Sequence, residues 1–198
     1  MTQLTAMILI LISLPLQAAP ILILGDSLSA GYGMPENEGW VNLIRKKLPQ
    51  HTIINASVSG ETSAGALRRL PSLLDSTAPQ LVFIELGAND GLRGFPTKQL
   101  KQNLTQIIKL SQERGALILL SNIMIPPNYG PRYAKQFAQV YQDIAEEQQI
   151  TLVPFFLKDI ITHSNLMQSD GLHPNAIAQP QIAAFLLPWL LEELKNLY

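Results

Sequence analysis

No cysteine occurs anywhere in the chain, so disulfide bonds and thiolate metal sites are excluded and packing alone must hold the fold. Charge is scarce and balanced, with 14 Lys and Arg against 15 Asp and Glu and a net charge of −1. That balance argues against the basic face a nucleic-acid partner requires, and no run of like charges marks a tail. The densest basic cluster, Arg45-Lys46-Lys47, reads as the solvated side of an amphipathic helix. Several catalytic signatures are missing too. There is no G-x-S-x-G elbow, no S-x-x-K and no H-E-x-x-H. Gly31 and Gly33 open a dinucleotide fingerprint, but its third position falls on Glu36. With three scattered histidines and no thiols, neither a metal nor an organic cofactor is expected.

Long apolar runs are also absent beyond one, and that one is too short to cross a bilayer as a stable helix. Ala6 to Ile12 is unbroken, the run continues through Pro15, and Gln17-Ala18-Ala19 supplies small residues for cleavage. Residues 1–19 therefore read as a secretory leader, although no Lys or Arg precedes the apolar stretch. Residues 20–198 are sized for one domain. A monomer in the periplasm or secreted is the expectation, with no membrane span in the mature chain.

What is present is an alternation of short apolar runs with longer amphipathic ones, the pattern of a parallel sheet covered by helices on both faces. Strands are expected at 20–25, 52–55, 81–86, 117–122 and 151–153. Helices are expected at 39–48, at 63–74 with a break or kink at Pro71, and at 97–114 with Thr97 as N-cap. Two more are expected at 132–149 and 175–197, the last opened by Pro174 and interrupted by Pro180 and Pro188. No internal repeat or linker composition divides the chain.

The chemistry collects after the strands. Ser27 follows the first, Gly60 lies past the second and Asn89 follows the third, so all three fall at the carboxyl edge where open parallel sheets bind ligands. Asp170 and His173 follow the fifth strand region and can return to the same edge. A serine hydroxyl needs a base to become a nucleophile, and His173 suits that task. Asp170, three residues earlier, can reach Nδ1 and fix the tautomer. Gly60 and Ser27 can lend backbone N–H groups, and Asn89 its amide, to a developing oxyanion. Each residue alone has a plainer reading as a turn, cap or corner residue. Their order and register argue for the chemistry.

Taken as blocks, Gly25-Asp26-Ser27-Leu28-Ser29, Ala56-Ser57-Val58-Ser59-Gly60-Glu61, Gly87-Ala88-Asn89-Asp90 and Asp170-Gly171-Leu172-His173-Pro174 resemble the SGNH or GDSL hydrolases. Within that family the likeness is to the small periplasmic thioesterase, lysophospholipase and arylesterase group, and it covers essentially the whole chain after the leader. The resemblance implies a three-layer α/β/α fold with a flavodoxin-like five-stranded parallel sheet in the order 2-1-3-4-5. It also implies a Ser27–His173–Asp170 triad and an oxyanion hole from Ser27, Gly60 and Asn89. Ala88 replaces a glycine found in some relatives.

The expected substrates are acyl esters, thioesters or lysophospholipids. Leu92, Phe95, Ile125, Pro126 and Tyr129 are candidate acyl-chain contacts, as are Phe155 and Phe156, although apolar residues beside a sheet are commonly plain core. Residues 90–96, with Gly91 and Gly94, read either as a lid hinged at two glycines or as an ordinary βα loop. A non-catalytic binding protein that keeps the fold is the alternative from another class.

Overall fold

The structure is a computed structural model and describes residues 18–197. The expected leader, residues 1–19, lies outside the described residues except for Ala18 and Ala19. Ala19 belongs to the folded unit: it is fully buried, its N–H donates to His51 Nδ1 at 3.1 Å, and its carbonyl accepts from the Thr52 N–H.

Five strands form the sheet: β1 (Pro20–Gly25), β2 (Thr52–Asn55), β3 (Leu81–Glu85), β4 (Leu117–Ser121) and β5 (Thr151–Val153). Their order is β2-β1-β3-β4-β5 and every neighbouring pair is parallel. β3 and β4 each stop one residue short of the expected end. Burial on both faces explains why the strands read as continuous apolar runs. Ile21, Ile23, Leu81 and Phe83 point into one core, while Leu22, Leu24, Val82 and Ile84 point into the other, as the two-residue period of a strand requires.

Seven helices occur among the described residues: α1 (Ser27–Ala30), α2 (Trp40–Lys47), α3 (Ser63–Thr77), α4 (Ala88–Leu92), α5 (Thr97–Gln112), α6 (Pro131–Gln148) and α7 (Gln179–Lys195). On one face α2 and α7 pack through Trp40, Ile44, Ile182 and Leu186. On the other, α3, α5 and α6 pack through Leu70, Leu104, Phe137 and Tyr141. The result is the expected three-layer α/β/α fold with two cores.

Proline and cap positions differ from the sequence-based expectation. α3 runs unbroken to Thr77 with Pro71 inside it. Pro71 is exposed, at the margin of the apolar face that Leu70 and Leu74 bury. Pro188 is tolerated inside α7 in the same exposed way, and Pro180 marks that helix's start rather than an interruption. Pro174 opens no helix; it is buried and forms an antiparallel bridge with Met167. Thr97 is the first residue of α5 and not its cap, which is Pro96 with no side-chain bond.

Candidate active site

β1 carries the chain straight to Ser27. Asp26 caps α1, its Oδ1 accepting the Leu28 N–H at 3.0 Å, so Ser27 becomes the first helical residue with its hydroxyl at the sheet edge. The N–H of a first-turn residue has no intrahelical acceptor. Among the described residues the Ser27 N–H donates to no other protein group.

Residues 146 positions apart meet here: Ser27 Oγ lies 2.8 Å from His173 Nε2. On the ring's other side Nδ1 lies 2.7 Å from Asp170 Oδ2. An ionised carboxylate only accepts, so Nδ1 carries the proton and Nε2 is left to accept from the serine hydroxyl. Asp170 Oδ1 also accepts the N–H groups of Leu172 and His173, at 2.9 and 3.0 Å. The bond to His173 and these two backbone donors hold the Asp170 carboxyl down at about 2, so it is charged throughout the neutral range. The Tyr32 ring lies against the imidazole, centroids 4.5 Å apart. Gln168 ties both partners down, its Nε2 donating to the carbonyls of Tyr32 and Pro174 at 2.7 and 3.1 Å.

Asn89 sits in the single turn of α4, with Nδ2 donating to Asp26 Oδ2 at 3.1 Å. Gly60 has φ +78°, in the left-handed region that favours glycine. It is exposed and not part of the cavity wall described below, and Arg93 Nη2 donates to its carbonyl at 3.2 Å. No other protein group among the described residues accepts the Gly60 N–H.

Ser27, His173 and Asn89 open onto a cavity of about 400 Å³. Leu92, Ile125 and Pro126 line it as expected, and so does Phe155, from the end of β5. Phe95 and Tyr129 do not. Phe95 is tethered outside the wall, its N–H donating to the Asp90 carbonyl and its own carbonyl accepting from the Tyr133 hydroxyl. Tyr129 belongs to an exposed 3-10 turn. Phe156 turns the other way and packs near Trp40 in the core.

The segment 90–96 is not a free lid. Its start is the second half of α4, and Asp90 and Gly91 are buried. A Cβ at Gly91 would stand 2.5 Å from Ile125 Cγ2 and 2.8 Å from Phe137 Cε2, so this glycine serves close packing rather than a hinge. Those partners lie on distant segments, and no local pattern could have announced them.

Sequence reasoning also passed over Glu85, which ends β3 fully buried beneath Asp26. Burial first, and then the neighbouring Asp26 carboxylate, raise Glu85 well above its ordinary range. Asp26 is itself pushed up by burial, to about 6. Its charge is still favoured over that of Glu85, because Leu28, Asn89 and His173 all draw it down. Among the described residues no cluster of His, Asp and Glu is placed to hold a metal ion, and no helix is long and apolar enough to cross a membrane.

Sheet order and this series of side chains define a class of enzyme, the serine-bearing hydrolases built on an open doubly wound sheet. The chain belongs to the GDSL-like Lipase/Acylhydrolase family, whose profile matches residues 23–179. It is 49% identical over 178 residues to an arylesterase of Vibrio mimicus, covering 88% of this chain and 89% of that one. Over 181 residues it is 44% identical to thioesterase 1/protease 1/lysophospholipase L1 of Escherichia coli strain K12, covering 91% and 85%. The crystal structure of the psychrotrophic esterase EstA from Pseudoalteromonas sp., inhibited by monoethylphosphonate, matches with a TM-score of 0.84 at 50% identity. That match covers 90% of this chain and 97% of EstA.

Proposed function

We propose that the protein hydrolyses carboxylic esters and thioesters through an acyl-serine intermediate, with Ser27, His173 and Asp170 as its triad. The observation that carries this reading is the unbroken hydrogen-bonded series from Ser27 Oγ through the imidazole to Asp170, at the mouth of an apolar cavity. Relatives named arylesterase and thioesterase/lysophospholipase support the substrate class. Inhibition of EstA by a phosphonate supports the nucleophile, because phosphonates are electrophiles that activated serines capture.

In the acylation half-reaction, Ser27 Oγ attacks the carbonyl carbon while its proton passes to His173 Nε2. Asp170 steadies the resulting imidazolium. The carbonyl oxygen, now negative, accepts from the Ser27 and Gly60 N–H groups and the Asn89 amide. As the intermediate collapses, His173 returns the proton to the departing alcohol or thiol. Water then repeats the sequence on the acyl-serine, with His173 as base again. Acyl chains occupy the cavity between Leu92, Ile125, Pro126 and Phe155. The residues before Ala19 act as an export leader for a periplasmic or secreted enzyme, one residue shorter than the expected 1–19, because Ala19 is buried in the fold.

Labelling with a fluorophosphonate tests this directly. The wild-type protein should be modified at Ser27, and Ser27→Ala should resist modification while losing at least about 10³-fold in kcat toward p-nitrophenyl esters and acyl thioesters. Absence of labelling together with absence of turnover would instead favour the acyl-binding protein of the same fold.

A further inference from the structure

Beneath the site lie two carboxylates that the reaction does not touch. Asp26 is 1% exposed and Glu85 is fully buried. The Asp26 N–H donates to Glu85 Oε2 at 3.3 Å, and the Ser29 hydroxyl donates to the same oxygen at 2.7 Å. Among the described residues no N–H or hydroxyl donates to Glu85 Oε1. The Asp26 carboxyl group also touches that of Glu85, and its own oxygens accept from two donors, Oδ1 from the Leu28 N–H and Oδ2 from the Asn89 amide nitrogen.

We propose that Asp26 is a positioning residue for the oxyanion hole, its carboxylate selecting the one orientation of the Asn89 amide that offers an N–H to the substrate oxygen. The inference rests on the reading of Asn89 as an oxyanion donor given above. A primary amide has two faces of opposite character, and a half-turn about its last bond exchanges donor for acceptor. Nothing else among the described residues hydrogen-bonds the Asn89 side chain. Only the contact with Asp26 Oδ2 decides which end stands where. An ionised carboxylate accepts and cannot donate, so it takes one amide hydrogen and leaves the second free for the hole. The opposite orientation would set a carbonyl lone pair toward Asp26 and toward the substrate oxyanion, replacing attraction by repulsion.

Glu85 completes the support from below. It takes up the Asp26 backbone and the Ser29 hydroxyl with one oxygen and touches the Asp26 carboxyl group as well, so both the peptide before Ser27 and the side chain that holds Asn89 are anchored on β3. One carboxylate thus links the first turn after Ser27 to the amide on α4, two parts of the hole that come from different strand ends.

The test is a double-mutant cycle with kcat and KM read separately. Asp26→Ser keeps a good cap for the Leu28 N–H but is too short to reach Asn89. Asp26→Asn keeps the shape but presents a second amide, which favours the wrong orientation of the first. Asn89→Ala should lower kcat by about 10²-fold with KM changed by less than about threefold. Each Asp26 variant should lower kcat to a comparable degree with KM as little changed. In the Asn89→Ala background either substitution should then have almost no further effect on kcat, since there is no amide left to orient. Full multiplicative loss in both double variants would overturn the positioning role and leave Asp26 a structural residue. An Asn89→Ala enzyme with unchanged kcat would overturn the oxyanion reading itself, and the positioning role with it. A match of thermal midpoints between wild type and Asp26→Ser separates either outcome from simple unfolding.

Discussion

The Asp90 carboxylate accepts two hydrogen bonds from Ser63, one from its backbone N–H at 2.8 Å and one from its hydroxyl at 2.6 Å. Asn103 on α5 donates to the same hydroxyl at 2.9 Å. Asp90 follows Asn89 directly and Ser63 opens α3, three residues beyond Gly60. The pair therefore fastens the asparagine block to the glycine block, both donors of the proposed hole, through a contact that water does not reach.

Asp90→Ala should lower unfolding free energy by about 3 kcal/mol, because it strips a buried N–H and a buried hydroxyl of a charged acceptor. Urea denaturation measures the loss. A change below about 1 kcal/mol would show that Ser63 finds other partners at little cost.

Glu85 makes stability fall as pH rises. Its folded value lies well above the ordinary 4.5, so the folded chain keeps a proton that the unfolded chain releases. The resulting stabilisation is fully present below 4.5 and is lost as pH rises toward and through the folded value. Glu85→Gln mimics the neutral acid and has no proton to lose. Relative to wild type it should gain stability between pH 5 and 8, by up to about 1.4 kcal/mol per pH unit. Thermal or urea unfolding across that range gives the difference, and a flat one would mean that Glu85 is charged in the folded protein.

Chain-length selectivity should reside in the cavity wall rather than in closure of the 90–96 segment. Leu92→Trp fills space on the α4 side of the cavity. It should cost a long-chain thioester or ester on the order of tenfold more in kcat/KM than an acetyl ester. Equal losses for both would indicate that the substitution only disturbs Asn89, one turn away.

The residues proposed as triad and donors could be picked out because their signal is local, and Ser27, Gly60 and Asn89 each follow a strand whose apolar run is itself legible. The sheet order was likewise accessible, through strand runs and the family resemblance. Tertiary partners were not. Gly91 looked like a hinge because glycine is ambiguous between freedom and closeness, and only the approach of Ile125 and Phe137 decides between them. Phe95 looked like a substrate contact until Asp90 and Tyr133 fixed its backbone outside the wall. Pro71 looked like a break until its exposed side was known. Glu85, one polar residue at the end of an apolar strand, gave no sign that it would be buried beneath Asp26.

The serine and the imidazole it contacts stand 146 residues apart, near opposite ends of the sequence. A polypeptide still under synthesis displays Ser27 long before Asp170 and His173 emerge. On the proposed mechanism the serine has no base during that interval. With the proposed triad, hydrolytic power arrives only when the last loop docks, so the appearance of activity times the completion of folding.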